Sequence, residues 1–140
     1  MKAMAEKPEC VFCEIASGRA SAEIVYADGS TLAFLPLRLQ AYGHTLIAPR
    51  RHAATIWEMT DGELGALMRV VRELSQRWRR TIGASGLNVL HASGADAGQS
   101  VAHAHLHLLP RFAGDGLDAW PQLSTLVVDR VEIARRLRLD

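Results

Sequence analysis

At 140 residues the chain is long enough to bury one real core and short for two domains. A formal charge of +1, from 16 Lys+Arg against 15 Asp+Glu, makes neither nucleic acid nor an anionic membrane the main partner, so any anionic ligand has to be held locally. No apolar run approaches the about 18–20 residues of a membrane span, and residues 1–8 are too polar for a signal-peptide core, so a cytoplasmic location is expected.

Residues 1–7 read as disordered. Residues 8–17 then read as a short helical turn closed by Gly18, since glycine readily takes the left-handed conformation that ends helices. That turn puts Cys10 and Cys13, the only cysteines, on one local face. Their spacing suits a metal or a redox pair better than a structural disulfide in a reducing compartment. Segments 23–27 and 31–35 flank Asp28-Gly29, which predicts two antiparallel strands joined by a tight turn with two positive-φ residues. Residues 37–43 break the pattern as a loop, and 44–48 resume a strand-like run ending at Pro49.

Thr60-Asp-Gly-Glu63 has the form of a capping box. Leu64, Leu67, Met68, Val71, Leu74 and Trp78 follow at helical spacing, with Gly83 as terminator, so one long helix turns an apolar stripe to the core. Segments 87–91 and 102–109 are further strand candidates, separated by the glycine-containing loop 92–100. Residues 129–139 read as a C-terminal helix with Val131, Ala134 and Leu137 inward. The Arg-rich stretches 77–80 and 135–138 fall late in amphipathic patterns and read as solvated helix ends. The order predicts an α+β fold: an antiparallel sheet of about five strands packed against one long helix, with a short N-terminal and a C-terminal helix. A single domain over 1–140 is expected, with its motifs in 10–111 and an extension at 112–140.

The chemistry concentrates in His103-Ala-His105-Leu-His107-Leu-Leu109. On a strand, alternation sends all three imidazoles to one face and the apolar chains to the other. A lone buried histidine is usually a satisfied core residue, but three on one face each need a hydrogen-bond partner, a metal or solvent, and β-propensity gives no reason to choose them. A metal site, a catalytic set, and a mixture of the two all suit neutral imidazole. The loop before the run favours the mixture: Gly98 lets backbone approach an anion, and Gln99 and Ser100 offer donors.

Cys10-Val-Phe-Cys13, Gly43-His44-Thr-Leu-Ile47 with Pro49 and His52, and Ala97-Gly-Gln-Ser-Val-Ala102 running into the histidines together resemble the histidine triad (HIT) family of nucleotide hydrolases and transferases. The last element is highly specific, the second supportive, and Cys-x-x-Cys modest. The resemblance implies that His105 attacks an α-phosphorus to give a nucleotidyl-imidazole intermediate that water hydrolyses. It also implies that His107 contacts phosphate oxygens, and that Gln99 and Ser100, beside Gly98, bind phosphate and help the leaving group. Cys10, Cys13, His52 and His103 match the four ligands of a structural zinc.

Two departures stand out. Pro36 occupies a place where many relatives carry a ribose-binding Asp, and Ala92 replaces an Asn or Gln that reaches the phosphate, so its neighbours His91 and Ser93 become candidate substitutes. Phe12, Ile15 and Leu35 are candidates for a base pocket. A homodimer with sheets joined across the interface is also implied. The main alternative is a nucleotide-binding regulatory or scaffold protein with little turnover; a zinc module for protein contacts would leave His105, His107 and the 99–100 loop unexplained.

Overall fold

The computed structural model describes residues 9–139, so the disorder expected for residues 1–7 lies outside the described residues. Helix α1 (Val11–Ala16) precedes strands β1 (Ile24–Ala27), β2 (Thr31–Phe34) and β3 (Thr45–Pro49). The long helix α2 (Asp61–Thr81), strands β4 (Gly86–His91) and β5 (Leu106–Arg111), and helix α3 (Arg130–Leu137) complete the chain. One-turn 3₁₀ helices lie at Ile56–Glu58 and Ala95–Ala97. The strands form one antiparallel sheet in the order β1-β2-β3-β5-β4, which makes this the expected α+β architecture.

Both faces of the sheet centre are covered, which is why every residue of β2 and β3 is buried. On one face Ala33, Ile47 and Leu108 pack against Leu67, Val70, Val71, Leu74 and Trp78 of α2. The pleat sends the alternate residues Leu32, Phe34 and Leu46 to the other face, against Cys10, Phe12 and Cys13 at α1. Leu46 pairs with His107, so α1 and its two cysteines share a face with the catalytic candidate at 107.

Helix α2 starts on the predicted capping box: Thr60 Oγ1 accepts from Glu63 N at 3.1 Å, and Glu63 Oε1 accepts from Thr60 N at 2.9 Å. Arg51 also donates to Glu63 Oε1, at 2.7 Å, which ties the loop carrying His52 to the helix start. Gly43 has φ +80°, and a Cβ there would sit 3.0 Å from Pro110 Cγ, so glycine is required for the chain to enter β3 beside β5. No helix among the described residues is long and apolar enough to cross a membrane.

Three local expectations are corrected. Neither Asp28 nor Gly29 has positive φ. Instead Asp28 Oδ1 accepts from the backbone of Ser30 and Thr31, both at 2.8 Å, and the carboxylate builds the turn. Strand β5 begins at Leu106 rather than at Ala102, because the backbone before it is taken by non-ladder partners: His103 N donates to Val101 O and Ala104 N to Ala53 O. Helix α3 forms, capped by Asp129, but Val131 and Leu137 are 78% and 75% exposed and so do not face inward. The extension leaves the sheet through a fixed turn in which Arg111 binds Asn88, both carboxylate oxygens of Asp115, and the Leu117 carbonyl.

Candidate functional site

Four predicted ligands meet where α1 packs on the sheet. Cys10 caps α1 and Cys13 lies one turn on, while His52 and His103 arrive from the loops after β3 and before β5. Their ligand atoms all lie within 4.8 Å of one another. Cys10 Sγ is 3.3 Å from His103 Nδ1, and Cys13 Sγ is 3.4 Å from His52 Nδ1 and 3.6 Å from His103 Nδ1. Tetrahedral coordination with bonds of about 2.3 Å to sulfur and 2.0–2.1 Å to nitrogen puts S and N atoms roughly 3.5 Å apart, so this donor set fits a metal ion.

The tautomer fits as well. His103 Nε2–H donates to the Pro49 carbonyl at 2.7 Å, which leaves the Nδ1 lone pair turned to the thiols. Burial lowers the His103 pKa and keeps that nitrogen available.

His105 is wired the other way. Its Nδ1–H donates to the His103 carbonyl at 2.7 Å, so Nε2 carries the free lone pair. The ring is buried, stands edge-on to Phe12 at 5.1 Å between centroids, and lies 5.0 Å from the His107 ring. Burial lowers its pKa below the usual histidine value, with a smaller contribution from His91 in the same direction.

His107 receives its orientation from a residue with no role assigned from sequence. Gln40 N donates to His44 Nδ1 at 3.2 Å, so the neutral His44 ring carries its proton on Nε2, which lies 3.0 Å from His107 Nδ1. His107 therefore accepts at Nδ1 and presents Nε2–H as a donor. Burial first, then His105, His44 and His91, push the His107 pKa down to about 4, and burial lowers that of His44. His44 lay inside an apolar strand motif; its 2% exposure is the feature that sequence could not supply.

The loop candidates divide. Ser100 is exposed and lines a cleft of about 280 Å³ with Cys10, Val11 and His52. Gly98 turns the loop at φ +86°. Gln99 spends its amide inside the loop: Oε1 accepts from Gly94 N at 2.8 Å, while Nε2 donates to Ala54 O at 2.6 Å and to Val101 O at 2.9 Å. It shapes the loop rather than pointing a free donor out of it.

His91 pairs with Leu106 across the ladder and lines an apolar pocket with Ile56, Met59, Leu64 and Met68, on the α2 side of the sheet. Its ring bonds Ser93 and the His105 carbonyl. The two candidate substitutes for a phosphate-reaching amide are therefore engaged elsewhere: the pleat turns His91 away from the His107 face, and Ser93 bonds His91 and Ile56. Of the base-pocket candidates, Phe12 stands edge-on to His103 and His105 and Ile15 packs on the same cluster, whereas Leu35 lines a separate groove with Tyr42 and Trp78.

Residues 17–114 match the model of the HIT domain family. The chain belongs to the HIT family. This HIT chain is 38% identical over 107 residues to a HIT-like protein of Methanocaldococcus jannaschii, an alignment covering 76% of this chain and 82% of that one. Its fold is similar to the crystal structure of a HIT family member from Bacillus subtilis, with a TM-score of 0.79 and 32% identity over 94% of this chain and 99% of the other. It is also similar to a Zn-bound histidine triad family protein from Mycobacterium smegmatis, with a TM-score of 0.76 and 32% identity over 91% and 89% of the two chains. Membership of the HIT family supports a function of the nucleotide-binding hydrolase or transferase kind.

Proposed function

We propose that this protein cleaves dinucleoside polyphosphates or nucleoside phosphoramidates by nucleotidyl transfer to His105. The observation that carries the reading is the His105 tautomer: its Nδ1–H is committed to the His103 carbonyl, and the ring stands outside the Cys/His cluster. A neutral, aimed Nε2 is what attack on phosphorus needs.

The Nε2 lone pair forms a bond to the α-phosphorus while the bond to the leaving group breaks. The leaving atom takes the bonding pair and a proton from solvent. Water then attacks the same phosphorus, the P–N bond returns its electrons to His105, and water's proton goes to solvent. His107 Nε2–H donates to a phosphoryl oxygen as negative charge shifts onto it. Ser100 and the backbone at Gly98 flank the leaving group, and Gln99 holds their loop in shape.

Cys10, Cys13, His52 and His103 bind zinc in this reading. Bound there, zinc would supply folding energy and tie together the loops that carry its ligands, and a set of two Cys and two His would leave no position for substrate. Thiols used as ligands fit a reducing compartment and hence the cytoplasm. Two copies pair through β4, the edge strand beside β5, to form a homodimer.

A substrate panel of diadenosine polyphosphates and aminoacyl adenylate mimics tests the reading on wild type and His105→Ala. Turnover of at least one compound by wild type and its loss in the variant are expected. Equal rates for both proteins on every compound would leave a binding or scaffold protein.

A further inference from the structure

The sequence singles out His91 and Ser93 as stand-ins for a missing phosphate-binding amide at Ala92, but the structure gives them a different employment. Leu106 opens β5, so His105 lies one residue outside regular strand structure. Its carbonyl is held by a side chain: His91 Nδ1–H donates to His105 O at 2.8 Å. With Nδ1 protonated, the neutral ring accepts at Nε2, and Ser93 Oγ–H donates there at 2.7 Å. Ser93 Oγ in turn accepts from Ile56 N at 2.9 Å. Every donor and acceptor in this chain is satisfied in one direction, from the 3₁₀ turn at Ile56–Glu58 to the backbone of residue 105.

We propose that His91, aimed by Ser93, is a positioning residue for His105; the catalytic part of this proposal rests on the nucleotidyl-transfer reading above. Residue 105 is fixed from two sides. The His103 carbonyl sets the ring torsion and tautomer, and the His91 ring fixes the peptide that follows, from the opposite face of the sheet. The substrate side needs no contact with residue 91 for this. Releasing the 105 carbonyl lets the start of β5 shift and swings Nε2 off the line of attack, and a misplacement of about 1 Å can cost on the order of 10²-fold in rate.

Nitrogen NMR of histidine-labelled protein without substrate, combined with nucleoside phosphoramidate kinetics, tests the proposal. Wild type should show His105 as the Nδ1–H tautomer with a slowly exchanging ring proton. His91→Leu should broaden or lose that signal and lower kcat by roughly 10²-fold, with KM changed less than about threefold. His91→Asn, whose amide NH₂ occupies the place of Nδ1, should restore the signal and recover kcat to within about tenfold of wild type. Ser93→Ala should fall between Leu and Asn.

An unchanged His105 signal in His91→Leu overturns the proposal. So does a rise in KM at constant kcat, which would make His91 a substrate contact, or equal losses in the Leu and Asn variants, which would make it merely structural. The ring signal is read without turnover, so the two ideas separate. A His105 signal that depends on His91, in a protein whose His105→Ala variant still turns over, would remove the nucleophile and keep the positioning of the ring.

Discussion

His103 and His105 stand two residues apart and have opposite free nitrogens. The ring of His103 gives its Nε2 proton to Pro49 and turns Nδ1 toward two thiols; the ring of His105 gives its Nδ1 proton to His103 and leaves Nε2 open. Neither difference comes from the side chains, which are identical. It comes from which backbone carbonyl each ring reaches, and that follows from a chain that does not become regular strand until Leu106. A fully extended run would have equivalent environments at both positions. The irregular stretch at 101–105 is what separates the candidate metal ligand from the proposed nucleophile, and a single carbonyl, that of His103, joins the two regions.

The sharpest way to break this comparison is to remove one side of it. Cys13→Ser, or extraction of the metal with a chelator, should lower the thermal midpoint by on the order of 10 °C or more, because ligand loops from three parts of the chain lose their common anchor. An unchanged melting curve would mean that the cluster holds no structural ion.

On the anion side the expected effects concern rate. His107→Phe should reduce kcat/KM by about 10²–10³-fold, as expected when one oriented donor to developing charge is lost. His44→Phe should cost about tenfold through the His107 ring it orients, so equal rates for this variant and wild type would refute the tautomer relay.

The pH dependence sharpens the same point. Protonating Nε2 of His105 removes the attacking lone pair, and burial lowers the pKa from 6.5, so the acid limb of kcat/KM should have its midpoint below pH 6.5. His107 contributes to stability with a definite sign. Its folded pKa of about 4 lies below the ordinary 6.5, so the unfolded chain binds the proton more readily. This contribution is fully present above pH 6.5 and is lost as pH falls toward about 4. The drop in melting temperature across that window should be smaller in His107→Phe than in wild type.

The smallest effect is expected far from the run. Deleting residues 118–140 should change stability by less than about 0.5 kcal/mol in urea unfolding, since Trp120, Leu123, Leu126, Val127 and Val131 are exposed and join neither core cluster.

What could be read from the sequence was whatever depends on local pattern. The Thr60/Glu63 box, the inward Leu67, Val71, Leu74 and Trp78 and the Cys/His spacing each carry their own period or partner and are found in the structure, whereas Met68, expected on the same stripe, is 52% exposed at its edge. Tertiary context decided the rest. Asp28 folds its turn through a carboxylate that competes with the Asp-Gly backbone preference, and β5 starts late because Ala53 and Val101 take the amides before it. Helix α3 has an amphipathic sequence and buries none of its residues among the described part of the chain. His44 was hidden because its value lies in a contact 63 residues away. His91 stands beside the missing amide at Ala92, but its side of the sheet depends on the register with Leu106.

The central claim is most directly tested by quenching a single turnover in denaturant at alkaline pH, where the P–N bond survives, and reading the intact mass and peptide map. A nucleotidyl adduct confined to His105, absent from His105→Ala and still formed in His44→Phe at a reduced rate, is the predicted result. An adduct on another residue, or full turnover by His105→Ala, would contradict the account.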